Sequence, residues 1–196
     1  MHARFLLFGQ CRQSMARIGN VLVAAGCAYA GQVADAESLL RTVRTVKPDL
    51  FVLDMPDGFT SVEPKLRVIE EEWLCPILVL SNGTCPEMER FLQRSPIACG
   101  LPKPVVEEAV LPVVTQCLKA FRILVEHHRE IHRLRRSMDE RRMLEKAKWV
   151  LGRLQQMNEA EAYELIRRKS RESRQPMGKI AEAIILAAEL GVNADI

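Results

Sequence analysis

The chain has 196 residues, with 28 lysines and arginines against 25 aspartates and glutamates, for a net charge of +3. This length suits one domain or two small ones, and the plentiful aliphatic residues exclude wholesale disorder. No apolar run approaches the roughly 18 residues that a membrane span needs, and the first residues lack a cleavage-site pattern. We therefore expect an unprocessed, soluble, cytoplasmic protein with no membrane partner.

Short apolar runs alternate with helical patterns in the first half of the chain. Amphipathic spacing predicts helices over residues 15–25 and 36–46, ended by Gly26 and Pro48. Apolar runs predict strands at residues 5–8, 27–30, 50–53 and 77–80, with a weaker fifth strand at residues 99–101. Fully apolar runs between amphipathic helices are typical of strands buried on both faces of a parallel sheet.

Functional groups collect at the carboxyl ends of the strands in such a sheet. The strand ends here present Gly9 with Gln10, then Asp54, Ser81 and Lys103. The segment around Asp54, the hydroxyl residue after the fourth strand and the Lys-Pro pair after the fifth resemble the receiver domains of response regulators over residues 3–116. The resemblance implies an α/β flavodoxin-like domain with a parallel five-stranded sheet, in which Asp54 is the phosphoacceptor position.

Two departures from the receiver pattern affect its chemistry. Receivers end the first strand in two acidic residues that bind magnesium with the phosphoacceptor, whereas this chain has Gly9 and Gln10. Because Mg²⁺ prefers anionic oxygen ligands, we expect a degraded magnesium site, no cofactor and impaired phosphorylation of Asp54. Asp57, three residues beyond Asp54, is an alternative further ligand that nothing in the sequence requires. The switch aromatic of the family falls on Gly100, so the coupling to an output surface lacks a part. The expected input is a sensor protein or a ligand acting on this domain, or dimer assembly alone. An Asp54–Lys103 pair that only caps the strand end is the plainer alternative to a phosphorylation site.

A helix is predicted from Val105 to about Gln156, with Pro112 as an early interruption. A seam at heptad spacing within it is apolar at six of eight positions, which predicts a coiled coil and a homodimer. A helix packed on its own receiver domain is the alternative. The seam residues are Cys117, Ala120, Leu124, His127, Ile131, Leu134, Met138 and Arg141.

The remaining residues predict three helices, of which the first continues the linker. Asn158 with Glu161 is close to a capping box for the second, and Pro176 precedes the third. The segments 145–148, 158–167, 170–171 and 180–182 resemble the ANTAR domain of AmiR- and NasR-type transcription antitermination regulators. Trp149 stands where that family usually has glycine. The predicted domains are therefore a receiver-like domain at 1–116, a coiled-coil linker at 117–141 and an all-α three-helix ANTAR domain at 142–196.

The ANTAR resemblance implies binding to paired hairpins in a nascent leader mRNA. Unpaired loop bases offer faces for stacking, while lysines and arginines hold phosphates. Residues 129–179 carry 15 basic and 8 acidic residues, which suits such a partner. The candidate RNA contacts are Lys148, Tyr163, Arg167, Ser170, Arg171, Arg174 and Lys179.

Three other functions fit the sequence less well. A DNA-binding response regulator fits the short turn between the last two helices, but the third helix is less basic than a groove-reading helix would be. A protein-binding adaptor leaves the basic stretch without a nucleic-acid role. An enzyme is not expected, because the sequence offers no general acid–base pair and no Gly-rich phosphate loop. The six cysteines form no Cys-x-x-Cys pair, which favours reduced, mostly buried thiols over a metal site.

Overall fold

The computed structural model describes residues 2–9, 11–33, 35–54, 59–83 and 85–190. Gln10 and Asp57 lie outside these residues. The chain divides into two compact units, residues 1–126 and 127–196.

The first unit is built on a parallel five-stranded sheet in the order β2-β1-β3-β4-β5. This is the flavodoxin-like order, and it confirms the predicted fold class. The strands are β1 (Arg4–Gly9), β2 (Ala28–Gln32), β3 (Leu50–Asp54), β4 (Ile77–Ser81) and β5 (Ala98–Pro102). The helices that alternate with them are α1 (Arg12–Ala24), α2 (Leu39–Val46), α3 (Phe59–Glu71) and α4 (Pro86–Arg94), and α5 (Glu107–Gln155) follows β5.

Both faces of the sheet are covered by apolar side chains. One hydrophobic cluster joins α2, α3 and α4 to the sheet, and a second joins α1 and the first turns of α5 to the opposite face. Every residue of β3 and β4 is buried, as the fully apolar runs predict. Because β3 and β4 are buried, their backbones fix the positions of Asp54 and Ser81 at the carboxyl ends of the two strands.

Local interactions set the ends of the predicted helices. The predicted second helix is three residues too long, because the Asp35 carboxylate accepts a hydrogen bond from the Ser38 N–H at 2.7 Å and holds residues 36–38 in a turn. The left-handed residue Lys47 (φ 49°) ends that helix one residue before Pro48. At the end of α1, Gly26 takes a φ of 80°, a conformation that favours glycine.

The second unit is a three-helix cluster made by the last turns of α5 with α6 (Glu159–Ser173) and α7 (Met177–Glu189). The predicted capping box is present: the Asn158 side chain accepts from the Glu161 N–H at 3.0 Å, and the Glu161 carboxylate accepts from the Asn158 N–H at 2.8 Å. Small and branched apolar side chains fill the centre, including Ala147, Ala162 and Ala181, each fully buried. Because three alanines meet there, the helix backbones can approach closely.

The thiols are mostly sequestered, as the sequence predicts. Cys27, Cys75, Cys85 and Cys117 are buried, and burial raises the pKa of the Cys75 thiol to about 12. The expectation fails for Cys11, which is exposed at the start of α1. The Ser14 hydroxyl, which donates a hydrogen bond to its sulfur at 3.3 Å, lowers the pKa of that thiol.

Candidate functional site

The predicted phosphoacceptor Asp54 lies at the end of the central strand β3 and is fully buried. The Lys103 ammonium, carried in just after β5, forms an ion pair with Asp54 Oδ1. Asp54 Oδ2 has no hydrogen-bond partner among the described residues. The structure therefore brings the predicted residues Asp54 and Lys103 together as an ion pair.

Gly9 is the register partner of Asp54 on the neighbouring strand, where receivers carry an acidic residue. A Cβ built on Gly9 would lie 2.7 Å from the backbone oxygen of Asp54 and 2.8 Å from its Cβ. Real Cβ atoms essentially never come that close, and a strand backbone cannot yield as a flexible side chain can. The end of β1 thus has no room for a side chain at this position.

Ser81 lies at the end of β4, and its hydroxyl is already engaged. Ser81 Oγ donates to the Glu89 carboxylate of α4 and accepts from the Gly83 N–H at 3.0 Å. The Ser81 carbonyl accepts from the Lys103 N–H at 2.8 Å, which ties the two predicted residues to one edge. Sequence reasoning missed Glu89; its place in the first turn of α4, eight residues after Ser81, was the available signal.

Gly100 stands where receivers carry their switch aromatic. A Cβ at this position would meet Leu92 Cδ1 of α4 at 3.3 Å. The Leu92 side chain therefore lies against the β5 backbone, and even a Cβ at position 100 would require it to shift by a few tenths of an ångström.

In the second unit, several of the predicted RNA-contact residues have acidic or backbone partners nearby. The Lys148 ammonium bridges Glu145 at 2.8 Å and Glu159 at 2.6 Å, and only 11% of its side chain is exposed. These two carboxylates raise the pKa of Lys148, and the ammonium lowers the pKa of Glu159. Lys148 thereby ties α5 to the start of α6.

The other predicted contacts fall into two groups. Arg167 pairs with Glu164 at 3.0 Å, Lys179 pairs with Glu182 at 3.1 Å, and Ser170 Oγ donates to the Gln175 carbonyl at 2.6 Å. Arg171 and Arg174 have exposed side chains with no ion-pair partner within the described part of the chain. Tyr163 is 43% exposed, so its ring is available on the surface of α6.

Comparisons with known proteins agree with the resemblances of the two units to a receiver domain and an ANTAR domain. Residues 132–185 match the ANTAR domain. The chain thus carries an ANTAR domain at residues 132–185, preceded in sequence by a unit with the receiver fold. It is 23% identical over 172 residues to the transcriptional regulatory protein PdtaR of Mycobacterium tuberculosis, covering 86% of this chain and 82% of that protein.

Solved structures show the fold of the first unit. The signal receiver domain of a modulated diguanylate cyclase from Desulfovibrio desulfuricans G20 superposes with a TM-score of 0.53 at 17% identity, covering 63% of this chain and 98% of that one. NtrX from Brucella abortus superposes with a TM-score of 0.54 at 20% identity, covering 69% of this chain and 29% of that one.

Trp149 lies within the matched ANTAR residues and does not fill the core. Its side chain is 59% exposed, and the Arg153 guanidinium sits 4.8 Å from the centre of its ring. The departure from the usual glycine therefore changes the surface of the ANTAR domain and leaves its packing to Ala147, Val150 and Leu151.

The predicted coiled-coil seam reaches solvent along the middle of α5. Ile131, Leu134 and Met138 are 49%, 52% and 57% exposed, whereas Cys117 at the start of the seam is buried in the first unit. Three large apolar side chains at heptad spacing form a stripe that is free to pack against another helix.

The residues that the structure describes contain no group of three or more His, Cys, Asp or Glu side chains suited to a metal ion. Among the same residues, no helix is both long and apolar enough to cross a membrane.

Proposed function

We propose that this ANTAR regulator binds paired hairpins in a nascent leader RNA and thereby prevents a terminator hairpin from forming. The ANTAR match over residues 132–185 is the observation that carries the proposal. The exposed Arg171 and Arg174 side chains support it, because a guanidinium without an acidic partner can bind a phosphate without first breaking an ion pair.

The working form is a homodimer through α5. Burying the exposed stripe of Ile131, Leu134 and Met138 against a second copy would remove apolar surface from water at heptad spacing. Two ANTAR domains on one dimer would then bind two hairpins, and the second contact would benefit from a raised effective concentration. A target made of paired hairpins follows from that geometry.

Input to the receiver-fold unit does not use ordinary magnesium-dependent phosphorylation. Asp54 is the single predicted acidic ligand within the described residues, and its Oδ1 is already paired with Lys103. A donor set of this kind does not fit Mg²⁺, which needs several oxygen ligands and must screen the incoming phosphoryl group. The Ser81–Glu89 hydrogen bond also places a carboxylate on the hydroxyl that would contact that group. A sensor protein bound to this unit is therefore the proposed source of control.

A gel shift of the untreated full chain tests RNA binding. The probes are a paired-hairpin leader RNA, a single-hairpin RNA of the same loop sequence, and a duplex DNA of equal length. Tight binding to the paired RNA alone supports the proposal. Equal or tighter binding to the DNA supports a DNA-binding regulator instead, and binding to none of the probes supports a protein-binding adaptor.

Incubation with acetyl phosphate and Mg²⁺ tests the input separately. We expect no phosphorylated species by intact mass, and the same RNA affinity before and after incubation. A stable phospho-form that is absent from the Asp54→Asn variant would overturn this part of the proposal and leave RNA binding intact.

A further inference from the structure

Trp149 projects from the face of α5 that lies away from the core of the second unit. Its neighbours Ala147 and Val150 are buried in that core, while Trp149 is 59% exposed. A large indole ring in water forgoes the burial that usually stabilises it. A ligand that covers this tryptophan must therefore suit both the indole ring and the Arg153 guanidinium beside it. Nucleic acid is the ligand class of the ANTAR family.

The partner helix of the predicted coiled coil does not cover Trp149. After Met138 the heptad positions fall on Arg141, Glu145 and Lys148, all polar, and Lys148 is committed to two carboxylates within its own domain. Trp149 falls one residue beyond this register. It is thus an isolated aromatic side chain on a charged surface and does not continue the apolar stripe.

Cations flank Trp149 on the same helix face. Arg153 stacks on the ring, at 4.8 Å from its centre, and has no ion-pair partner among the described residues. Arg142, exposed and likewise without such a partner there, lies two helical turns earlier on that face. A ring with one cation at its face and another along the helix axis suits a ligand that combines a flat π-system with negative charge.

We propose that Trp149 and Arg153 form a stacking site for one unpaired RNA base, an inference that rests on the proposed RNA-binding function. The base stacks on the indole, and the Arg153 N–H groups donate to the adjacent phosphate or to the base edge. Stacking on an aromatic side chain tolerates any base, so the site adds affinity for an unpaired nucleotide and leaves sequence selection to other contacts.

The test uses the full chain and a paired-hairpin RNA whose loops are selected from a randomised pool with the wild-type protein. Affinity is measured for the wild type, Trp149→Ala, and the control Leu154→Ala, which removes an equally exposed apolar side chain from the same helix. Each RNA is also made with one loop base removed at a time. We expect Trp149→Ala to weaken binding roughly tenfold, equivalent to about 1.4 kcal/mol and within the range for one base–aromatic stack. We expect Leu154→Ala to leave binding unchanged.

The base-removal series distinguishes stacking from a general loss of structure. One loop position should weaken wild-type binding when its base is removed and have no further effect on Trp149→Ala. In a Trp73→Phe background, which leaves Trp149 as the sole tryptophan of the two in the chain, the fluorescence should be quenched by the intact RNA and not by the RNA lacking that base.

Each contrary outcome identifies what has failed. If the wild type selects no RNA at all, the proposed function is wrong and the stacking site falls with it. If the wild type binds and Trp149→Ala binds equally well, the stacking site alone is wrong. If Trp149→Ala converts a dimer to a monomer by sedimentation, a second copy covers the ring and the stacking site is likewise wrong.

Discussion

Replacing Gly9 by alanine would place a methyl group between two strands that already touch. The new Cβ would lie 2.7 Å from the Asp54 backbone oxygen, 2.8 Å from Asp54 Cβ and 3.1 Å from Met15 Sδ. Two of these three atoms belong to β3 and cannot rotate away, so the end of β1 must shift. Overpacking of this kind costs about 1–3 kcal/mol. The lower backbone entropy of alanine in the unfolded chain offsets up to about 1 kcal/mol of that cost.

We therefore expect Gly9→Ala to lower the free energy of unfolding by about 1–1.5 kcal/mol in urea denaturation, from the middle of the overpacking range (about 2 kcal/mol) less an entropy offset of about 0.5–1 kcal/mol. Gly19→Ala is the matched control, because its Cβ would meet only Leu7 Cδ1, at an ordinary 3.7 Å, inside helix α1. That change should stabilise the protein by about 0.5–1 kcal/mol. A Gly9→Ala variant as stable as the wild type would refute the close approach and reopen position 9 to an acidic magnesium ligand.

Three further changes probe the Asp54–Lys103 ion pair, the cap of α6 and the Lys148–Glu159 bridge. Lys103→Met should destabilise the protein by about 3–5 kcal/mol in urea, because it leaves the buried Asp54 carboxylate without a counter-charge; combining it with Asp54→Asn should recover much of the loss. Asn158→Ala should cost about 1 kcal/mol through loss of the capping box, and an unchanged melting temperature would argue against that cap. Lys148→Met should destabilise the protein at neutral pH by removing the bridge to Glu159. Because the pKa of Glu159 is lowered in the folded protein, its contribution is present above its unfolded pKa and is lost as the pH falls through the folded value. The stability difference between wild type and variant should thus shrink in acid, and a constant difference would contradict the bridge.

Much of the fold follows from apolar patterning. Runs of four apolar residues predict the central strands, since β3 and β4 are buried on both faces and are polar only at their last residues, Asp54 and Ser81. The capping box at Asn158 is also legible, because it depends on two residues at a fixed spacing. The start of α2 is harder to predict, since the Asp35–Ser38 hydrogen bond competes with the first helical turn.

The candidate sites are harder to predict from the sequence because they depend on distances between residues far apart in the chain. The sequence shows that Gly9 replaces an acid, but the contact with Asp54 that excludes any side chain arises from strand pairing. The Ser81–Glu89 hydrogen bond needs the angle at which α4 leaves β4. Net charge predicts a basic ANTAR domain, yet Lys148, Arg167 and Lys179 lie beside acidic partners, and that pairing is visible only in three dimensions.

An in vitro transcription assay tests the central claim most directly. A template carrying the selected paired hairpins upstream of a terminator is transcribed with the untreated full chain, with the Asp54→Asn variant, and without protein. Antitermination without phosphorylation predicts that both proteins raise readthrough to the same extent, and that a template with one hairpin deleted does not respond. Readthrough that never rises, or that rises only after treatment with acetyl phosphate and Mg²⁺, would contradict this account.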